Sequence, residues 1–128
     1  NNSLNYIEEM KYFATAAKER VKDPTAVTPK QALRAATSSG AQSQGRSDTG
    51  VLARGKKADL IVLDISGPHM HPVHSLINNL VYSASGSDVV LTMADGKILY
   101  ENGKYFTIDL ERAVYETERA AKKILQAL

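Results

Sequence analysis

The sequence predicts an α+β fold in which helices near both ends of the chain flank a small antiparallel sheet. Three observations support this prediction. Apolar residues recur at helical spacing near both ends of the 128-residue chain, one short run in the middle is almost wholly apolar, and two tight-turn dipeptides follow that run. Hydrophobic residues make up 43% and charged residues 23%, ordinary values for a globular domain. We therefore predict one domain with three helices and about four short strands.

The first two helices are predicted from their caps. Asn5 can cap a helix, and Glu8 three residues on completes a capping-box pattern. The second helix begins at Thr28 with Pro29 in its first position, and Gly40 is its expected end. The polar, glycine-rich stretch that follows is expected to form a surface loop.

The strands are predicted in the middle of the chain. The run 58–64, ADLIVLD, is apolar enough to be buried on both faces of a sheet. Something beyond the other short strands must cover it, so the sheet is expected to be incomplete. Asp59 and Asp64 bracket the run and are expected to cap turns, and apolar spacing within 73–84 fits a short helix.

Two dipeptides predict hairpins. Asp95-Gly96 and Asn102-Gly103 each supply the two positive-φ residues that a type I′ turn requires. The resulting strands are 88–94, 97–101 and 104–106. A last helix is predicted from its cap at Asp109 to about Ala127. Its expected buried stripe consists of Leu110, Ala113, Val114, Ala121, Ile124, Leu125 and Leu128.

Charge and cysteine content exclude several classes of function. The formal net charge is +2 and no basic block is present, so we expect no nucleic-acid and no membrane partner. The absence of cysteine excludes disulfides, thiolate metal sites and a cysteine nucleophile. No apolar run approaches the roughly 20 residues that cross a bilayer, and no signal peptide is visible. A cytoplasmic location is expected. The first residue is not methionine, which suggests a piece of a longer protein.

The three histidines lie within six residues, in the segment GPHMHPVH directly after the apolar run. On a strand, His69 and His71 would share a face, and His74 could supply a third nitrogen to a metal ion. However, Pro72 keeps His71 extended, and the only carboxylate close by in sequence is Asp64. The alternative is a surface turn, and short histidine motifs often occur without a metal. We favour the turn and expect no metal ion and no catalytic residue in this chain.

Longer phrases of the sequence resemble a known family. They are NNSLNYIEEM, TPKQALRAATSSGAQSQG, GVLARGKKADLIVLD, PVHSLINNLVYSASGSDVVLTMADGKILYENGKY and TIDLERAVYETERAAKKI. In this order they resemble the C-terminal third of amidohydrolase-superfamily enzymes. The resemblance is strongest to the chlorohydrolase branch that includes 5-methylthioadenosine/S-adenosylhomocysteine deaminases, and it covers essentially the whole chain. The chain departs from the family at Ser43 and Gln44, where an apolar residue is usual, and in its polar link RSDTG.

The resemblance implies a fold for the parent protein. Such enzymes are (β/α)₈ barrels that carry a small β-sandwich assembled from both chain ends. This chain would be a C-terminal fragment, with the last barrel helices and a linker at 1–45. Part of the sandwich would follow at 46–107, including a short helical connection at 73–84, and the C-terminal helix at 108–128.

The resemblance also implies an activity for the parent. It would hydrolytically deaminate a purine-type nucleoside or base, or displace chloride from a related ring. A water bound to zinc or iron would attack the ring carbon while a carboxylate moves the proton. By the resemblance these groups belong to the missing N-terminal half of the barrel, so the fragment alone is expected to be inactive and to depend on that half as its partner.

Asn1, Asn2 and Ser3 are the candidate substrate-loop residues. By the resemblance they follow the last barrel strand, at the face where the active sites of such barrels form. The alternative is that they are exposed polar residues beside the helix cap at Asn5, as is common at helix starts.

Two other functions are open at this point. The chain could be a non-enzymatic binding or assembly module that shares the sandwich segment, or a small metal-binding domain centred on the three histidines. Without the barrel, apolar helix faces and a strand edge would be uncovered, and such surfaces promote association. Self-association of the fragment is therefore expected.

Overall fold

A computed structural model describes residues 4–127. Five α-helices lie within these residues: α1 (Tyr6–Val21), α2 (Pro29–Arg34), α3 (Gly40–Ser43), α4 (Leu76–Tyr82) and α5 (Leu110–Gln126). The four strands are β1 (Leu60–Leu63), β2 (Val89–Ala94), β3 (Lys97–Glu101) and β4 (Lys104–Tyr105). A π-helical turn (Ala35–Ser39) joins α2 to α3, and two 3₁₀ turns span Pro68–Met70 and Gly86–Asp88. The predicted α+β class is confirmed.

The caps predicted for the first two helices are present. The Asn5 side chain accepts a hydrogen bond from the Glu8 amide at 3.4 Å, and Lys22 ends α1 in the left-handed conformation. At α2 the capping box is reciprocal. The Gln31 amide donates to the Thr28 hydroxyl at 3.3 Å, and the Thr28 amide donates to the Gln31 side chain at 2.8 Å. These local bonds fix both helix starts.

Gly40 does not end the second helix, and that prediction was wrong. The chain passes through the π-helical turn and remains helical to Ser43. A Cβ at residue 40 would lie 2.8 Å from the carbonyl oxygen of Ala35. Gly40 therefore allows the backbone to approach closely within the π-helical turn, and it does not act as a C-cap.

One buried cluster joins α1, α2 and α4. It consists of Ile7, Met10, Ala14, Ala32 and Val81. Ala14 and Ala32 are 0% and 1% exposed, so the two helices meet through small side chains that allow close approach. This cluster orients the start of α1 relative to α4 and to the sheet that follows it.

The sheet is an antiparallel meander with strand order β1-β2-β3-β4. Asp95 and Gly96 have φ values of 50° and 77°, and Asn102 and Gly103 have 46° and 87°. Both predicted type I′ hairpins are therefore confirmed, and β2, β3 and β4 lie within their predicted ranges.

β1 is an edge strand with much apolar surface in contact with solvent. It pairs with β2 on one side, and Ile61 and Val62 are each 45% exposed. The burial on both faces that the run 58–64 predicts is not provided by residues 4–127. The strand is as apolar as a strand buried on both faces, but it lies at the open edge of the sheet.

The C-terminal helix is present, but its predicted buried stripe is not buried. The Asp109 carboxylate caps α5, as predicted. Leu110 and Val114 are each 51% exposed and Ile124 is 63% exposed, and α5 contains no buried residue. Leu128, the last member of the stripe, lies outside the described residues. The strongly amphipathic helix therefore presents its apolar face to solvent.

The total surface shows how much of the chain is uncovered. The solvent-accessible area is 9695 Å², whereas a compact monomer of 13.9 kDa exposes about 6,700 Å². Exposed apolar side chains on α5 and β1, among them Leu110, Ile124 and Ile61, contribute to the difference. Within the described part of the chain, no helix is both long and apolar enough to cross a bilayer.

Candidate functional site

The start of α1 is where the sequence predicts substrate-loop residues. Asn1, Asn2 and Ser3 themselves lie outside the described residues. Leu4 has φ 48°, a left-handed conformation that costs a non-glycine residue about 1–2 kcal/mol. Asn5 then returns to extended geometry before the helix begins. A conformation of this kind persists only where surrounding contacts impose it.

The Gly86–Asp88 turn supplies contacts at this point. A Cβ on Gly86 would lie 3.1 Å from Oδ1 and 3.3 Å from Cγ of Asn5. A side chain at residue 86 would therefore require the Asn5 side chain to shift by a few tenths of an ångström. Residues 81 positions apart in the sequence therefore meet at the first turn of α1.

Asp88 holds the turn together. Its Oδ2 accepts a hydrogen bond from the Ser85 amide at 2.8 Å and lies 2.9 Å from Nε2 of His69. The Asp64 amide donates to the Asp88 carbonyl at 2.8 Å, which ties the turn to the end of β1. The Asp88 side chain is 12% exposed and that of His69 is 45% exposed.

The hydrogen bonds that Asp88 accepts from His69 and Ser85 favour the ionised form of its carboxylate. The hydrogen bond with His69 is the largest cause that holds the pKa of Asp88 below its ordinary value, and the Ser85 amide is the next. Both donors stabilise the charged form. Asp88 is therefore an acceptor at neutral pH.

The three histidines do not converge. His69 lies in the 3₁₀ turn Pro68–Met70, not on a strand, and its ring packs so closely over Gly67 that a Cβ there would meet Cε1 at 2.6 Å. His71 has extended backbone geometry and is exposed, as is His74. Among residues 4–127, no group of three or more His, Asp or Glu side chains is placed to hold a metal ion. The expectation of a metal-free segment stays a prediction.

Asp88, which lies 19 residues from His69, was not predicted from the sequence as a functional residue. Two signals point to it. Ser85 and Asp88 have the spacing of a capping box, S-x-x-D. In addition, antiparallel pairing of β1 with β2 brings the segment that follows β1 next to the segment that precedes β2.

Asp59 organises the polar link before the sheet. It accepts hydrogen bonds from the Thr49 hydroxyl at 2.6 Å and the Asp95 amide at 2.7 Å, and Arg46 lies 3.6 Å away. The Thr49 hydroxyl is the largest cause that lowers the pKa of Asp59, followed by the Asp95 amide. Arg46 and Thr49 both belong to the polar link RSDTG, so side chains of this link contact the residue that joins the start of β1 to the first hairpin. The predicted turn-capping role of Asp59 is confirmed.

An apolar groove of about 200 Å³ lies between α1 and the second helix. The Tyr6 hydroxyl at one end donates to the Ala36 carbonyl at 3.3 Å. Phe13 at the other end is 48% exposed. The groove is lined by Tyr6, Glu9, Met10, Phe13, Ala32, Ala35 and Ala36. Its composition is that of a helix-packing surface, because a single acidic side chain accompanies small and apolar ones.

Sequence comparisons place these features among known proteins. The Amidohydrolase family matches residues 1–99 of the chain. A 5-methylthioadenosine/S-adenosylhomocysteine deaminase from Dictyoglomus thermophilum is 40% identical over 126 residues, which are 98% of this chain and 30% of that protein. A 5′-deoxyadenosine deaminase from Methanosarcina mazei is 40% identical over 125 residues, which are 98% of this chain and 29% of that protein. The chain spans less than a third of the length of these relatives.

The fold of the chain also matches parts of solved structures. An adenosine deaminase from Xanthomonas campestris with bound zinc matches with a TM-score of 0.91 and 29% identity, over 94% of this chain and 28% of that chain. An atrazine chlorohydrolase from Arthrobacter aurescens complexed with zinc matches with a TM-score of 0.79 and 29% identity, over 88% of this chain and 25% of that chain.

Proposed function

The chain belongs to the amidohydrolase family, and from this premise we propose that it is the C-terminal part of a metal-dependent hydrolase that deaminates adenosine-type nucleosides. One observation carries the proposal. The chain is 40% identical, over 98% of its length, to a 5-methylthioadenosine/S-adenosylhomocysteine deaminase. An atrazine chlorohydrolase structure also matches, with a TM-score of 0.79, whereas the adenosine deaminase structure matches with a TM-score of 0.91; both are 29% identical to this chain. Hydrolysis of an exocyclic C–N bond on a purine is therefore favoured over displacement of chloride.

The three segments that we propose for this part of the parent protein have boundaries that lie between helices and strands of the chain. Residues 1–45 hold the last barrel helices and a linker, 46–107 hold part of a composite β-sandwich, and 108–128 hold the C-terminal helix. The open edge at β1 and the uncovered stripe of α5 support this division, because both have the composition of buried elements. The remaining two thirds of the parent would cover them.

The described residues do not fit a catalytic zinc or iron site. Such a site needs three or more nitrogen or oxygen ligands that converge, whereas His69 is engaged by Asp88 and the other two histidines point to no common centre with it. We therefore assign the metal ligands and the proton-transferring groups to the rest of the parent, and no step of the reaction to residues 4–127.

The contribution of this chain would be to position the substrate loop. In the sequence, Asn1, Asn2 and Ser3 are followed by Leu4 and then by the capping residue Asn5. In barrel enzymes the segments that follow the strands at this face form the active site. These three residues are accordingly proposed as substrate-loop residues of the parent.

The test compares the 128-residue chain with the complete gene product. Each is incubated with 5′-methylthioadenosine, 5′-deoxyadenosine and adenosine, and release of ammonia is measured. We expect turnover by the complete product and none by the 128-residue chain. Deamination by the chain alone would contradict the inactivity of the fragment. Failure of the complete, zinc-loaded product to deaminate all three nucleosides would refute the proposed function.

A chlorinated triazine serves as the matched control substrate. It shares an electrophilic ring carbon with the nucleosides but carries chloride as its leaving group. We expect release of chloride to be at least about a hundredfold slower than release of ammonia, because a site built around a nucleoside leaves its polar groups unpaired with a triazine. The reverse preference would favour the chlorohydrolase assignment.

A further inference from the structure

Three segments that are distant in sequence meet beside the start of α1. The 3₁₀ turn Pro68–Met70 carries His69, the Gly86–Asp88 turn carries its partner carboxylate, and α1 begins at the capping residue Asn5. His69 Nε2 lies 2.9 Å from Asp88 Oδ2, and a Cβ on Gly86 would lie 3.1 Å from Asn5 Oδ1. The three segments therefore form a continuous line of contact from an exposed histidine to the cap of the helix.

We propose that His69 and Asp88 are positioning residues that hold the Gly86–Asp88 turn against Asn5 and so fix the start of α1. The consequence for catalysis rests on the proposed function, because only there does the segment that leads into α1 belong to a substrate loop. The structural part of the inference depends on the contacts alone.

The Asp88 carboxylate is suited to this role because one oxygen serves two donors. Oδ2 receives the Ser85 amide, which closes the turn on itself, and His69, which ties the turn to the segment after β1. The ring of His69 is in turn set by Gly67, where a Cβ would meet it at 2.6 Å. Removal of the imidazole leaves the Ser85 amide on Asp88 Oδ2 and the Asp64 amide on the Asp88 carbonyl, but it removes the side-chain contact with the segment after β1.

The cap itself is sensitive to the position of the turn. The hydrogen bond from the Glu8 amide to Asn5 Oδ1 is 3.4 Å long, near the upper limit for such a bond. The preceding residue, Leu4, is held at positive φ. A shift of a few tenths of an ångström at Gly86 is therefore enough to weaken the cap.

Hydrogen exchange at the Glu8 amide in the complete gene product tests the structural part. His69→Ala is expected to accelerate exchange about fivefold, the effect of losing one solvent-exposed hydrogen bond of ordinary net strength. His69→Gln keeps a donor for Asp88 and is expected to restore most of the protection. His74→Ala is the matched control, since that histidine is exposed and lies outside the cluster, and it should change nothing.

An internal reference is available at the other end of the chain. The Arg112 amide is capped by Asp109 at 3.0 Å in the same geometry. Its exchange should be unaltered by substitution of His69 or Gly86. Equal acceleration at both amides would mean global destabilisation and would overturn the inference. Unchanged exchange at Glu8 in His69→Ala would overturn it as well.

Gly86→Ala provides a second, independent variant should His69→Ala not fold. The backbone of Gly86 has no positive φ, so alanine is tolerated by the turn itself, and the added methyl group acts on Asn5 alone. We expect about fivefold faster exchange at Glu8. Ser87→Ala in the same turn is the matched control, because Ser87 is exposed. An unaltered Glu8 amide in Gly86→Ala would refute the contact on which the inference depends.

The catalytic consequence is read from steady-state kinetics with an adenosine-type substrate. In His69→Ala we expect KM to rise about fivefold with kcat within about twofold of the unsubstituted protein, and His69→Gln to reverse the rise. A fall in kcat at constant KM would contradict a positioning role for the substrate loop. If the unsubstituted complete protein deaminates no nucleoside, the proposed function fails, whereas the exchange experiment still decides whether His69 and Asp88 position α1.

Discussion

The exposed stripe of α5 leads to a quantitative prediction for the 128-residue chain in isolation. Leu110, Val114 and Ile124 are each at least half exposed, and the chain as a whole exposes about 3,000 Å² more than a compact monomer of its mass. A standard interface needs only about 800 Å² from each partner. We therefore expect the isolated chain to self-associate, with the face of α5 as the main contact.

The contribution of the stripe can be worked out from these exposures. Full burial of an aliphatic side chain contributes roughly 1.5–3 kcal/mol, so burial of the exposed half contributes about 1 kcal/mol for each residue. Replacement of all three by glutamine should weaken association by about 3 kcal/mol for each protomer. Because every 1.4 kcal/mol is a factor of ten, the dissociation constant should rise at least about a hundredfold.

Sedimentation equilibrium over a wide range of protein concentration measures this change. The matched control is a triple substitution on the polar side of the same helix, Arg112→Gln, Glu118→Gln and Lys122→Gln, which should alter the dissociation constant by less than about threefold. A monomer at the highest concentration, or equal association of the two triple variants, would refute the reasoning.

Three further substitutions test the core, the polar link and the π-helical turn. Val81→Ala should lower the free energy of unfolding in urea by roughly 2 kcal/mol, because Val81 is 1% exposed and a cavity replaces its methyl groups. Asp59→Asn should lower the melting temperature at neutral pH. The Thr49 hydroxyl holds the folded pKa of Asp59 below its ordinary value, so this stabilisation is present above the ordinary pKa and is lost as pH falls through the folded one. Gly40→Ala should destabilise by about 1–3 kcal/mol in urea despite the higher helix propensity of alanine, because its Cβ would lie 2.8 Å from the Ala35 carbonyl oxygen.

Each of these substitutions has a control elsewhere in the chain. Val21→Ala, at the exposed end of α1 where the side chain is 59% exposed, should change the free energy of unfolding by less than about 0.5 kcal/mol. Asp48→Asn removes an exposed carboxylate that lies 3.4 Å from Lys57, and should leave the melting temperature at neutral pH nearly unchanged. Ser39→Ala lies next to Gly40 and should not destabilise. A Gly40→Ala variant more stable than the original would contradict the steric argument, and an Asp59→Asn effect that persists at low pH would contradict the electrostatic one.

Local signals in the sequence were sufficient for most of the secondary structure. Asn5, Thr28 and Asp109 begin their helices as predicted because each capping bond joins residues only three positions apart. The two hairpins were predictable for the same reason, since a type I′ turn depends on the φ preferences of two adjacent residues. Gly40 was misread because a glycine near a helix end is usually a C-cap, and the π-helical turn has no sequence signature.

The remaining features depend on contacts between residues that are far apart in the sequence or on surfaces outside the 128 residues. The pairing of His69 with Asp88 needs β1 and β2 to be correctly in register, and no pattern near either residue specifies that register. The stripe of α5 was predicted to be buried because its amphipathic spacing indicates a partner surface. The spacing says that a partner is required and nothing about whether the partner lies in the same 128 residues.

The uncovered state of α5 also determines how the isolated chain melts. A 17-residue helix is just above the length of about 12–15 residues at which helices become marginally stable in water without tertiary support. Because none of its residues is buried, its loss is not coupled to the loss of the α1–α2–α4 cluster. In dilute solution the far-ultraviolet signal would therefore fall gradually before the cooperative transition, and the van't Hoff enthalpy would be smaller than the calorimetric enthalpy.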